Sequence, residues 1–144
     1  MASVHDVAKY ILKKLKCTTH MKLQKLVYYC QAWSLVWEER PLFKNKIEAW
    51  ANGPVVPALY QSLKGYFNVL PKNLRLGDPS NLSPNDKETI DAVLDFYDEK
   101  PSQYLSDLTH MERPWQEARK GLGPGEHGSR EITLASMAEY YGSL

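Results

Sequence analysis

Little in this chain points to a membrane, a repeat array or a disulfide-held fold. Two cysteines, Cys17 and Cys30, among 144 residues are too few for a disulfide framework, and their spacing fits no C-x-x-C pattern. Cys30 lies in an apolar helical run, where a free thiol behaves as a small hydrophobe, so a reducing, cytoplasmic setting is expected. The longest uncharged apolar-rich run, Leu26–Trp37, is 12 residues. A membrane-spanning helix needs roughly 20, so this run reads as a core helix and no membrane partner is expected. The N-terminus has no basic start followed by an apolar segment, so no secretory leader is expected. No internal repeat is visible, which excludes a solenoid. Charged residues are held to 24% against 43% hydrophobic ones, which excludes a disordered chain.

Catalytic and cofactor-binding patterns are equally sparse. His110-Met111-Glu112 offers the H-x-E of a zinc deaminase, but no cysteine follows residue 30 to complete the metal site. His5, His20 and His127 show no metal-ligand spacing. Gly123-Pro124-Gly125-Glu126-His127-Gly128 satisfies G-x-G-x-x-G literally. A dinucleotide loop needs a strand before it, whereas here a helix precedes, Pro124 lacks a donor and Glu126 repels phosphate. Cys17 and His20 near a helix start have no accompanying hydrolase motif. No cofactor, no metal and no enzymatic activity are expected.

What the chain does have is an uneven charge. Residues 1–75 carry 12 Lys+Arg against 4 Asp+Glu, and residues 76–144 carry 6 against 13, so the overall +1 conceals +8 and −7. Either half offers a docking face, or the two are held together by their opposite fields. The basic half admits a nucleic-acid reading in which Lys9, Lys13, Lys14, Lys16, Lys22 and Lys25 follow a phosphate backbone. Against it, only Arg40 and Arg75 supply guanidinium groups in that half, and the second helix is too apolar to enter a groove.

Periodicity predicts a mainly α fold: one compact domain over 1–144, with six or seven helices around a central apolar helix at about 19–39. Ser3 and Asp6 form a capping box before Val4, Val7, Ala8, Ile11, Leu12 and Leu15 at helical spacing. On the central helix Leu23, Leu26, Val27, Cys30, Ser34 and Trp37 make one stripe, with Tyr28, Leu35 and Val36 opposite and Trp33 on the flank. A helix apolar nearly all round is central or covered by a partner. Pro57 starts a third helix carrying Leu59, Tyr60, Leu63 and Phe67. Further helices are expected from Pro84 to about Glu99, Ser102 to His110, Pro114 to about Gly121, and from Leu134 to Tyr141. A short β element is expected near 46–50 and 130–132, and a long surface loop at about 68–83.

Four blocks in order resemble the Panacea domain, also called SocA-like, or GepA-like in phage-associated proteins. They are Met21-Lys22-Leu23-Gln24-Lys25-Leu26-Val27-Tyr28-Tyr29-Cys30-Gln31-Ala32-Trp33; Pro41-Leu42-Phe43 leading to Ile47-Glu48-Ala49-Trp50 and Gly53-Pro54-Val55-Val56-Pro57 with Tyr60; Leu108-Thr109-His110-Met111-Glu112 with Pro114-Trp115; and Ile132 before Tyr140-Tyr141. The resemblance implies an antitoxin that neutralises a cognate toxin, encoded next door, by direct protein–protein binding. The alternatives are a nucleic-acid-binding regulator, or a phage or mobile-element protein with a different target. The motif residues Leu23, Gln24, Leu26, Trp33, Trp50, Gly53, Pro54, Val55, Tyr60, Thr109, His110, Pro114 and Trp115 are expected to be structural. Off the main stripe, Lys22, Lys25, Tyr28 and Tyr29 are expected to face outward and contact the toxin. A second possibility places Asp91, Asp95, Asp98 and Glu99 against a basic site on the toxin.

Overall fold

The structure, a computed structural model, describes residues 2–144. Helix α1 (Val4–Leu15) begins at Ser3, whose hydroxyl accepts from the Asp6 N–H while its own N–H donates to the Asp6 carboxylate at 2.9 Å. This reciprocal cap satisfies two donors that a helix start would otherwise leave open. A two-residue strand β1 (Thr18–Thr19) leads into α2 (His20–Trp37), and the Thr19 hydroxyl caps that helix through the Lys22 N–H.

Helix α2 is the spine of the fold, as its all-round apolar character predicts. Every residue from Leu23 to Ala32 is buried. It is enclosed by α1, by α3 (Pro57–Leu63), by α4 (Pro84–Tyr97), by α5 (Ser102–His110) and by α7 (Leu134–Gly142). The glutamines at one end and the middle of this helix fix the loops beside it. Gln24 Oε1 accepts from the Val56 N–H at 2.9 Å. Gln31 Oε1 accepts from the Leu42 and Phe43 N–H groups at 2.7 and 3.2 Å, while its Nε2 donates to the Phe43 carbonyl at 2.8 Å. A buried amide so fully used repays its desolvation and sets the register of the segment crossing it.

A three-stranded antiparallel sheet of order β3-β2-β5 flanks the helices, from β2 (Ile47–Trp50), β3 (Gly53–Val55) and β5 (Glu131–Ile132). Trp50 faces Gly53 across the hairpin, and Ile47 faces Ile132. The short β element expected near 46–50 and 130–132 is therefore present, and β3 completes it. The third helix is shorter than the periodicity suggests: α3 ends at Leu63, Gly65 turns the chain at φ +95°, and Phe67 lies exposed outside it. The Phe67 carbonyl instead accepts from the His20 N–H at 2.9 Å.

Residues 68–83 are more than a loop. They hold β4 (Asn68–Val69), paired with β1, and two 3-10 turns at Pro71–Asn73 and Pro79–Asn81. Val69, Leu74 and Leu82 are buried, and Lys9 donates to the Pro71 and Leu74 carbonyls. At Gly77 (φ +104°) a Cβ would lie 2.2 Å from the His5 carbonyl oxygen, so only glycine lets the segment lie this close to α1. The last helices are α6 (Arg113–Ala118) and α7, capped by Thr133. One hydrophobic cluster runs from α1 to α7, and the accessible surface of 7487 Å² matches the roughly 7,500 Å² expected of a folded chain of this mass. Among the described residues no helix is long and apolar enough to cross a membrane.

The opposite charges of the two halves meet along α4. Asp86 takes the Arg40 guanidinium at 2.8 Å, Asp91 takes Lys14 at 3.3 Å, and Asp98 takes Lys22 at 3.5 Å. The split in the sequence is thus spent partly inside the molecule, as a seam between α4 and the two N-terminal helices.

Candidate functional site

The structure corrects the expected outward face of α2. Lys25, Tyr28 and Tyr29 are buried, because α4, α5 and α7 cover the side that the helical wheel leaves free. Lys22 is half-buried, with its ammonium on the Asp98 carboxylate and carbonyl. All three buried residues leave almost no side-chain surface in solvent.

The tyrosines instead build a polar knot. Tyr29 and Tyr141 hydroxyls both donate to Glu112 Oε1 at 2.7 Å, and the Tyr28 and Tyr141 hydroxyls lie 3.0 Å apart. Tyr29 stacks on Tyr97 at 4.2 Å, and the Tyr97 hydroxyl accepts from Trp33 Nε1 at 3.0 Å. Burial pushes the Glu112 carboxyl up from its ordinary value, and the two tyrosine donors only partly offset that. From the sequence Glu112 enters only through a rejected H-x-E pattern and a family block, with no role of its own. The available signal was the number of tyrosines on apolar helix faces, since a buried phenol needs a polar partner.

The motif residues from distant parts of the chain converge on Lys25. Its side chain is 1% exposed, and among the described residues it takes part in no ion pair. Burial alone pushes it down to about 8. Gly53, at φ +122°, leaves room for the lysine stem: a Cβ there would sit 2.6 Å from Lys25 Cε and 3.0 Å from Thr109 Oγ1. Pro54 and Val55 follow in β3, both buried. The β2–β3 hairpin is tied to α5 and α6 by Ser106 Oγ donating to the Asn52 carbonyl at 2.6 Å and Trp115 Nε1 donating to the Trp50 carbonyl at 2.8 Å. Pro114 is buried in the first turn of α6, which sets Trp115 against His110 in a parallel stack at 4.0 Å. His110 Nε2 is buried without a hydrogen-bond partner among the described residues, and burial, with smaller contributions from Lys25 and Arg119, holds the imidazole below its ordinary value. Leu23 and Leu26 are fully buried on the core side of the same helix.

Above Lys25 a pocket of about 190 Å³ opens to the surface, lined by His20, Met21, Gln24, Trp50, Asn52, Val55 and Tyr60. His20 stacks on Tyr60 at 5.4 Å, and Trp50 meets Tyr60 edge-on at 4.9 Å. Gln24 Nε2 lies 3.0 Å from His20 Nε2, which fixes the imidazole at the rim. Sequence reasoning sorted these residues into separate blocks and missed that they share one cavity.

A second surface lies between α2 and α4. Trp33, Trp37, Ala92, Val93, Phe96 and Tyr97 line an apolar groove of about 450 Å³. Trp37 is 49% exposed and Phe96 62%, and the two tryptophans stack at 5.3 Å. The groove continues into a depression lined by Trp37, Glu38, Glu88 and Ala92. On α4, Glu88, Ala92 and Phe96 fall on one stripe at helical spacing, so a carboxylate bounds the apolar patch at the end nearer Trp37 and Glu38. Lys100 lies over the Phe96 and Tyr104 rings at 5.5 and 5.3 Å.

The remaining sequence motifs take structural places. The 123–128 loop folds around Arg119, whose guanidinium donates to the Ala49, Gly123 and Glu126 carbonyls. It thus gathers carbonyls about a cation rather than amides about a phosphate. Of the six N-terminal lysines, Lys9, Lys14 and Lys22 bind internal groups and Lys25 is buried, while Lys13 and Lys16 are exposed.

No curated protein and no solved structure matches the chain. Residues 23–116 match the family described as Antitoxin SocA-like, Panacea domain, so the first three blocks, apart from Met21 and Lys22, lie inside the match and the Ile132–Tyr141 block lies beyond it. With well over half its length inside that match, this chain belongs to the Panacea-domain, SocA-like antitoxin family.

Proposed function

We propose that this protein is the antitoxin of a toxin–antitoxin pair and neutralises its cognate toxin by binding it directly, without catalysis. The observation that carries the reading is the open aromatic groove between α2 and α4. Phe96 and Trp37 leave large apolar area in water, at roughly 25 cal/mol for each Å² that a partner would cover. Exposed aromatic clusters of this kind are the usual anchors of protein interfaces. Glu38 and Glu88 beside the groove favour a partner segment that is apolar on one face and basic beside it. The contiguous core supports the chain acting as one unit.

The test is to express the neighbouring open reading frame alone, with this protein, and with the variants Trp37→Ala and Phe96→Asp. Growth arrest relieved by the wild type, with co-purification of the two products, is the expected result. Both variants should retain the wild-type melting temperature and lose neutralisation. A harmless neighbour counts against the antitoxin reading, and full neutralisation by both variants removes the groove from it.

A further inference from the structure

The pocket over Lys25 is a separate matter from the groove, and its chemistry is unusual for a packing site. An ammonium taken out of water is costly unless a counter-charge or several acceptors meet it. Among the described residues no carboxylate stands within ion-pair distance of Lys25, and the pocket lining contains no acid. The imidazoles of His20 and His110 also lie near Lys25; burial holds both below their ordinary value, and neither supplies a negative charge. Methionine would fill the same space without the cost. Gly53, whose φ of +122° itself favours glycine, lies directly against the end of the lysine side chain.

We propose that this pocket binds a single carboxylate carried on an apolar or aromatic body, the carboxylate seated on the Lys25 ammonium and the body held among Met21, Trp50, Val55 and Tyr60. The charge count sets the head group. One cation answers one negative charge, whereas a phosphate dianion would leave a charge unmatched in a mostly apolar cavity. No arginine lines the pocket to offer the bidentate fork that phosphate sites favour. The walls set the body: two aromatic rings in edge contact and two aliphatic side chains present flat apolar surface, and about 190 Å³ admits one ring with a short stem. Gln24 is already committed to Val56 and His20, so Lys25 is left as the main polar anchor, with Asn52 exposed at the mouth. The same head group is offered by a free small acid and by the C-terminus of a polypeptide ending in an aromatic residue.

The experiment is a ¹H–¹⁵N NMR titration of the full chain with phenylacetate and, separately, with phenylacetamide. A tetrapeptide ending in phenylalanine is tested in parallel with its C-terminal amide. Saturable shifts of the Trp50 indole and Asn52 amide resonances are expected with the carboxylates, at least about tenfold weaker with the neutral amides. The variant Lys25→Met should keep a dispersed spectrum and lose the preference for the acid. Tighter binding of the peptide identifies a polypeptide terminus as the source, and tighter binding of phenylacetate identifies a small free acid. Equal binding of acid and amide overturns the proposal. So does the absence of any shift with both carboxylates at tens of millimolar, or an undiminished acid preference in Lys25→Met. The amide comparison is made on the wild-type protein, so the outcome does not depend on how the variant folds.

Discussion

Replacing Lys25 with methionine should stabilise the folded protein near neutral pH, and the size of the gain follows from its burial. The ammonium is held down from 10.5 to about 8 by desolvation alone. At about 1.36 kcal/mol per pKa unit, that is a penalty of roughly 3 kcal/mol on the charged form in the folded state. The dependence on pH has a definite sign. Below about pH 8 both folded and unfolded chains carry the proton, and the folded state bears the whole penalty. Between about pH 8 and 10.5 the folded chain has released its proton while the unfolded chain still holds one, so wild-type stability rises with pH. Above that range the lysine is neutral in both states and the penalty is gone. Lys25→Met lacks the group and has no such dependence. Its advantage over the wild type is therefore about 3 kcal/mol near pH 7 and falls toward zero above about pH 10.5. For a chain of this length the neutral-pH gain corresponds to a rise in melting temperature of roughly 6–12 °C. Urea unfolding followed by tryptophan fluorescence, run on both proteins across this pH range, measures the difference directly, and other titrating groups cancel in it. A variant less stable than the wild type at pH 7, or a gap that does not change with pH, would refute the reasoning.

Two smaller perturbations examine other parts of the fold. Gly77→Ala places a methyl group 2.2 Å from the His5 carbonyl oxygen at a φ of +104°, so urea unfolding should show a loss of about 2 kcal/mol or more. Tyr29→Phe removes one of two donors to the buried Glu112 carboxylate and should cost about 1–3 kcal/mol by the same assay, while Tyr104→Phe on the exposed face of α5 should stay within about 0.5 kcal/mol.

The secondary structure was largely legible because its signals are local. Ser3 with Asp6 and Ser83 with Asp86 form the caps that their spacing implies, and Pro57, Pro84 and Pro114 stand in the first turns of α3, α4 and α6. The central place of α2 was legible too, since no helix with apolar groups on every side can remain on a surface. The error at Lys25, Tyr28 and Tyr29 has the same source. A helical wheel ranks sides relative to one another, but for a helix enclosed by five others no side is the outer one. Lysine and tyrosine have polar tips, and the sequence does not say whether a tip reaches water, a pocket or a buried acid. That depends on Glu112 and Tyr141, far along the chain. The pocket was invisible for a similar reason: its walls come from α2, the β2–β3 hairpin and α3, and only the folded backbone brings them together.

The position of α7 has a consequence for how the protein is made. Tyr141 completes the hydrogen-bonded group beneath α2, and β5, which precedes α7, pairs with β2 near the middle of the chain. During synthesis α2 leaves the ribosome roughly a hundred residues before the helix that finishes covering it. At about 5–20 residues per second, that interval is on the order of 5–20 s. Throughout it the central helix of the protein has the flank that α7 covers open to chaperones, proteases or any partner already present.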